Sequence, residues 1–443
     1  MYSKVKNGIY KELCNANTTL LAEITNSINS EIDDEKFANK FKVGEKAFSR
    51  NRFFTIRLLL VFLMTNLQKA IQRELFSFTE SMSLSVLIGK SAFCKARKKL
   101  NPLAFCALSH IIIDKFYRSN EVQLWKGHRI LAIDGSNAEI PNSKEIKGKF
   151  GIFKTRDDGK VTCMMRMLLI YDSINHITVH GSMDTMDADE CSMLWACLPK
   201  LQLDKDDLLI CDRYYASYAL LFYLNHRDVQ FCFRMKKCWN VVKTFIKSGK
   251  DSDVIFLVIP PDDRVEVRNL GISKTKLKCR LTKVILTTGE IEILLSSLID
   301  EQKYSVADTA ELYWHRWPIE EDYKTFKHTV CIENFSSKSI TGLEQDFYVK
   351  IFIMNMASVT VRPINAWLRK KPIKKLFHQV NMKETIASLK TAVVSFFVAN
   401  TFWKTARIIY EKLLMSTEAI RPGRIFIRSH QPKRKYYMCY KPV

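Results

Sequence analysis

Tyr313, Arg316, Glu320 and Lys327 are spaced by three, four and seven residues. At 100° per residue on a helix they project within roughly 60° of one another. One face would then carry a phenol, a guanidinium, a carboxylate and an ammonium. A lone carboxylate among basic groups suits a site that holds a metal ion and a phosphate together.

Two further acids stand where apolar runs stop. His128-Arg-Ile-Leu-Ala-Ile leads into Asp134-Gly135-Ser136, and Asp207-Leu-Leu-Ile-Cys leads into Asp212. Both runs read as buried strands that end at an acid. Taken singly, each Asp fits a turn former at a strand end. Taken together with Glu320, they would make an oxygen-lined pocket for Mg²⁺ or Mn²⁺. Two ions about 3.5–4 Å apart can hold the attacking and leaving oxygens of an in-line phosphoryl displacement. His315 projects away from Glu320, and metal-activated water needs no histidine base.

The elements that must position these groups follow from pattern. Residues 1–120 read as helical. Within them Ser83–Leu100 has the outline of a helix-turn-helix, with Gly89 and Ser91 between the helices and Lys95, Arg97, Lys98 and Lys99 on the second. These four are candidate DNA contacts, set against an ordinary solvated basic face. Residues 161–171 and 175–183 read as two strands around Asp172-Ser173. Helices over 187–198 and 215–226 and a strand over 229–235 follow. Residues 236–300 alternate β-rich runs (254–259, 264–268, 277–287, 290–296) with turns. Asp308 and Glu311 make a capping-box-like start for the motif helix. Pro318 predicts a kink, or a break just before it that leaves Glu320 in the first turn of a new helix. From 345 to 415 the chain is again helical, and from Ile420 onward it is basic, with no acid.

Composition agrees with a polyanion partner. The 443 residues carry 69 Lys plus Arg against 46 Asp plus Glu, a net charge of +23. At 47% hydrophobic the chain is no disordered polymer. Its longest apolar run, Phe53–Met64, contains Arg57 and is too short to span a bilayer. Twelve cysteines form no CxxC pair. Cys191/Cys197 and Cys232/Cys238 have the wrong spacing for zinc and read as packing residues. Reduced thiols and an N-terminus without an apolar core predict a cytoplasmic, nucleoid-associated protein.

With these residues in view the chain resembles a DDE transposase of bacterial insertion sequences, in the branch whose last motif is Y-x2-R-x3-E-x6-K. Tyr313, Arg316, Glu320 and Lys327 match its four positions; Asp134-Gly135-Ser136 and Asp212-Arg213 match its two aspartate motifs, and Glu333-Asn334-Phe335-Ser336 is also similar. One departure is Tyr214-Tyr215, where the family often has Gly. The resemblance implies that Asp134, Asp212 and Glu320 bind two catalytic ions, and that Arg316, Lys327 and Tyr313 contact phosphates. Trp317 and Trp239 are candidates for stacking on an unpaired base, against a packing role for both. Glu321 and Asp322 are expected as neighbouring or surface acids, with Glu321 the substitute should Glu320 be misassigned.

The implied fold is α/β: an RNase H-like mixed sheet core with a β insertion, flanked by helical regions. The expected domains are an N-terminal helical DNA-binding domain at 1–120, a core at 121–235 and 301–350, an insertion at 236–300, and a helical region with a basic tail at 351–443. The implied partners are double-stranded transposon ends and target DNA, with a homodimer in the synaptic complex and no membrane. A structure-specific nuclease and a non-catalytic repressor stay open as alternatives.

Overall fold

The computed structural model describes residues 18–50, 52–154, 161–286, 289–370, 376–399 and 401–421. The basic tail beyond Arg421 lies outside them. Compactness divides the chain into two units, one of 123–138 and 165–323, the other of 1–122, 139–164 and 324–443.

The unit that carries the acids is built on a sheet. Its strands are β1 (Arg129–Ile140), β3 (Val161–Asp172), β4 (Ile177–Asp184), β5 (Asp207–Cys211), β6 (Gln230–Arg234), β7 (Ser252–Val258), β8 (Lys276–Ile285) and β9 (Ile291–Ser296). A short β2 (Phe153–Lys154) pairs with the start of β3. The order is β2-β3-β1-β5-β6-β9-β8-β7, with β4 also paired to β3, antiparallel. β1 runs parallel to β5, and β5 to β6. A strand buried on both faces calls for apolar side chains, and β5 is buried throughout and apolar from Leu208 to Cys211, its one acid, Asp207, being paired with Arg129. The β3–β4 hairpin turns at Asp172, whose carboxylate accepts from the Ile174 and Asn175 amides at 3.2 and 3.0 Å. Helices Glu190–Cys197 and Tyr218–His226 follow β4 and β5. They bury Leu194, Leu220 and Leu224 in one core with Ile133, Leu209 and Phe231. Three strands joined in sequence, then two parallel strands with helical connections, make the RNase H-like core.

Three expectations need correction here. β1 does not end at Asp134 but continues to Ile140. The run 264–268 is not β-rich: Arg264–Asn269 is a helix that begins just after Asp262 and Asp263. Helix Asn240–Ser248 was not anticipated. The insertion also extends the core sheet, because β9 pairs antiparallel with β6, Arg234 opposite Leu294.

The other unit is mainly helical. Its longest helix, Ile340–Leu368, passes through Pro363 and buries Gln345, Asp346 and Lys350 among apolar residues. The helix-turn-helix outline is only half right. Residues 84–89 are not helical, and the helix Lys90–Arg97 starts at Gly89 without a side-chain cap. Arg97 is buried, and its guanidinium meets the Asp346 carboxylate at 2.6 Å and the Gln345 side-chain oxygen at 2.7 Å. Its expected DNA contact is therefore withdrawn, since a cation locked in a buried pair is not offered to a phosphate. Lys95 and Lys98 are exposed and Lys99 is half-buried. No described helix is long and apolar enough to cross a membrane.

Candidate functional site

The sheet brings the two aspartates together. The last registered pair of the parallel β1–β5 ladder is Ile133 with Cys211. Asp134, within β1, and Asp212, just past the end of β5, each come one residue later and so stand in step. Strands lie about 5 Å apart, and two residues in step project to the same face. Asp134 is half-buried. Burial pushes its carboxyl up to about 6; the Arg316 charge and the Gly135 amide pull it back, while Glu320 and Glu190 raise it further. The hydroxyl of Tyr323 donates to the Asp134 backbone carbonyl at 2.8 Å and fixes the strand there. Asp212 Oδ1 is buried and has no hydrogen-bond donor. An Arg234 nitrogen lies 3.5 Å away, within ion-pair distance but outside hydrogen-bond geometry. Arg234, at the end of β6, is itself held by the buried Glu292 of β9.

The motif residues occupy two helices. Val306–Trp314 starts with a capping box formed by Ser305 and Asp308, so Glu311 is not part of it. The helix then ends, and Trp317–His328 begins with Pro318 in its first turn. Pro lacks the backbone donor an interior position needs, which puts the break just ahead of it. Glu320 falls in the first turn, where the partial positive charge of the helix end favours an acid. The ideal one-helix alignment of Tyr313 with Glu320 is lost. Arg316 nonetheless bridges the break: its guanidinium bonds Glu320 at 2.9 Å and lies over the rings of Trp317 and Tyr313, at 4.8 and 5.7 Å from their centroids. Arg316 and Tyr313 are buried, and the Tyr313 hydroxyl has no hydrogen-bond partner. Burial raises the Tyr313 phenol, with the Asp212 charge adding to it. Lys327 is half-buried on the helix of Glu320.

The aromatic candidates separate. Trp317 is 38% exposed beside Trp314, which is 63% exposed and was not singled out from sequence. Trp239 stacks on Tyr218 with ring centroids 4.4 Å apart and packs against the core. That makes Trp239 a packing residue, not a free platform for a base. His315 caps the first motif helix, and burial lowers its pKa.

The donor set has the chemistry of a magnesium or manganese site, with three carboxylates and one buried oxygen lacking a donor. In the side-chain positions present, Glu320 faces Arg316 and Asp212 faces Arg234. Among the described residues no three His, Cys, Asp or Glu groups stand close enough together to enclose an ion.

Sequence reading assigns no role to Glu190, marks Tyr215 only as a departure from the family, and places Asp322 as a neighbouring or surface acid. The Tyr215 hydroxyl donates to Glu190 at 2.8 Å. Neither Tyr214 nor Tyr215 adopts the left-handed backbone that Gly would allow, as the departure from the family implied. Asp322 is buried, not a surface acid, and burial alone pushes its carboxyl up to about 7. A signal was available for Asp322: it sits three residues from Ile319 and four from Phe326, on the apolar side of the helix. None was available for Glu190, an ordinary first-turn acid in sequence.

The model of the family described as "Transposase DDE domain" matches residues 125–356. The transposase InsG of insertion sequence element IS4, from Escherichia coli strain K12, is 22% identical over 275 residues. That match covers 61% of this chain and 60% of InsG, so the chain spans less than two thirds of the curated relative it matches. Among solved structures, a piggyBac transposase synaptic complex with hairpin DNA superposes with a TM-score of 0.45 at 12% identity, over 95% of this chain and 90% of that one. The family match spans both aspartates and the whole second motif helix, and on it the chain belongs to the transposases with a DDE domain.

Proposed function

We propose that this chain is a DNA transposase that binds the ends of its insertion sequence, cuts them by metal-dependent hydrolysis and joins the 3′ ends to target DNA. The observation that carries the reading is that Asp134 and Asp212 each directly follow the last registered pair of two neighbouring parallel strands, with Glu320 close enough for its charge to act on Asp134. These three are the residues that would hold Mg²⁺ or Mn²⁺. Bound there, such ions would supply Lewis-acid activation of the attacking oxygen and neutralise charge at the leaving oxygen.

The remaining roles belong to the protein. Arg316 and Lys327 fix phosphates beside the cut, Arg through its planar fork and Lys as a point charge. The unpartnered Tyr313 hydroxyl is a donor for a phosphate oxygen. Exposed Trp317 is the stacking surface for an unpaired base. Lys95, Lys98 and Lys99 grip the backbone of the element's ends from the region 1–120. A hairpin on the opposite strand and a synaptic dimer complete the reading.

Incubation with duplexes that carry the element's ends, in Mg²⁺, tests it. Joined products are expected, and Glu320→Ala is expected to abolish cutting while end binding persists. Cuts without joining would favour a nuclease. Binding alone in the wild-type chain would favour a repressor.

A further inference from the structure

We propose that Glu190 is a fourth acid of this site, set beside Asp134 to share its divalent cation. The proposal rests on the transposase reading above and deepens it.

Glu190 is the first residue of its helix, behind the cap made by Asp189. Its carboxylate lies over the Cα of Gly135, the residue that follows Asp134. A Cβ at 135 would stand 2.1 Å from Glu190 Cδ and 2.2 and 2.5 Å from its two oxygens. A side chain at 135 would therefore push the Glu190 carboxylate aside, while the backbone of Gly135 lies outside the left-handed region. On its other side Glu190 accepts the hydroxyl of buried Tyr215, three residues beyond Asp212. One carboxylate therefore touches both acid-bearing segments. It differs from Glu320 and Asp212, each of which faces an arginine, because its partner is a neutral phenol. Among the described residues no Lys or Arg pairs with this carboxylate, so its oxygens are hard ligands offered to a divalent cation beside Asp134.

The competing role is mechanical, a strut between β1 and the turn after β5. Glu190→Gln separates the two, because the amide oxygen still accepts from Tyr215 while the charge is gone. Titration calorimetry with Mn²⁺ alone is the readout, alongside the melting temperature. Glu190→Gln is expected to melt within a few degrees of wild type and to bind Mn²⁺ about tenfold more weakly. Tyr215→Phe, which keeps the charge, is expected to hold wild-type Mn²⁺ affinity. Should Glu190→Gln not fold, Gly135→Ala displaces the carboxylate and is expected to show the same tenfold loss. Wild-type affinity in Glu190→Gln, with a clear loss in Asp134→Asn, would overturn the role of Glu190 and leave the transposase reading intact. No Mn²⁺ binding in the wild type, or no loss in Asp134→Asn, would overturn both.

Discussion

Arg316 shows how much one side chain settles in this molecule. Buried against Tyr313 and Trp317 and bonded to Glu320, it holds together two helices that Pro318 keeps apart. Two positions further along than Glu320, Asp322 is buried with no compensating charge as a cause of its shift. Its carboxyl sits at about 7 in the folded chain against an ordinary 3.8. The folded state thus binds a proton that the unfolded chain releases, and stability falls as pH rises between those values. The contribution is intact below the lower value and gone above the upper one. Asp322→Asn is accordingly expected to stabilise the protein at pH 8, on the order of 2–4 kcal/mol, and to leave it unchanged at pH 4. Urea unfolding at the two pH values checks this; equal gains at both would show that Asp322 does not ionise on the fold's account.

Single helices separate residues that look alike in sequence. Lys95 and Arg97 are two apart in a basic stretch, yet one faces water and the other ends in a buried pair with Asp346. Arg97→Ala is expected to cost about 3–5 kcal/mol by leaving Asp346 without its counter-charge, seen in thermal or urea unfolding. Lys95→Ala is expected to leave stability within about 0.5 kcal/mol and to lower the salt dependence of DNA binding by about one phosphate contact. Sequence could not distinguish these roles, because the Asp346 partner lies 249 residues away. What was legible was local. The Ile- and Leu-rich runs before Asp134 and Asp212 announced buried strands, and Pro318 announced a helix break. The helix at 264–269 was misread because Val265 and Val267 alternate with polar residues at the period of a strand. The Glu190–Gly135 approach was hidden for a related reason: only the folded sheet brings a first-turn acid over a glycine.

Across the whole chain, the net +23 sets how DNA binding responds to ions. Each phosphate neutralised contributes about −0.9 to the slope of log affinity against log salt. A slope steeper than about −4 is expected for end-bearing duplex, measured by fluorescence anisotropy between 50 and 300 mM salt (roughly the range over which such terms are resolved). A flat titration would remove the case for a nucleic-acid partner. The sheet itself imposes a limit on how this protein can be trimmed. Because β9 zips onto β6 and its Glu292 anchors Arg234, the stretch 236–300 is not an appendage. Excising it would strip β6 of its neighbour and lay a row of bare amides and carbonyls open to any passing strand. Such a shortened form is expected to clump with rising concentration in light scattering, not to persist as a leaner protein. Natural or engineered slimming of this protein must therefore begin somewhere else.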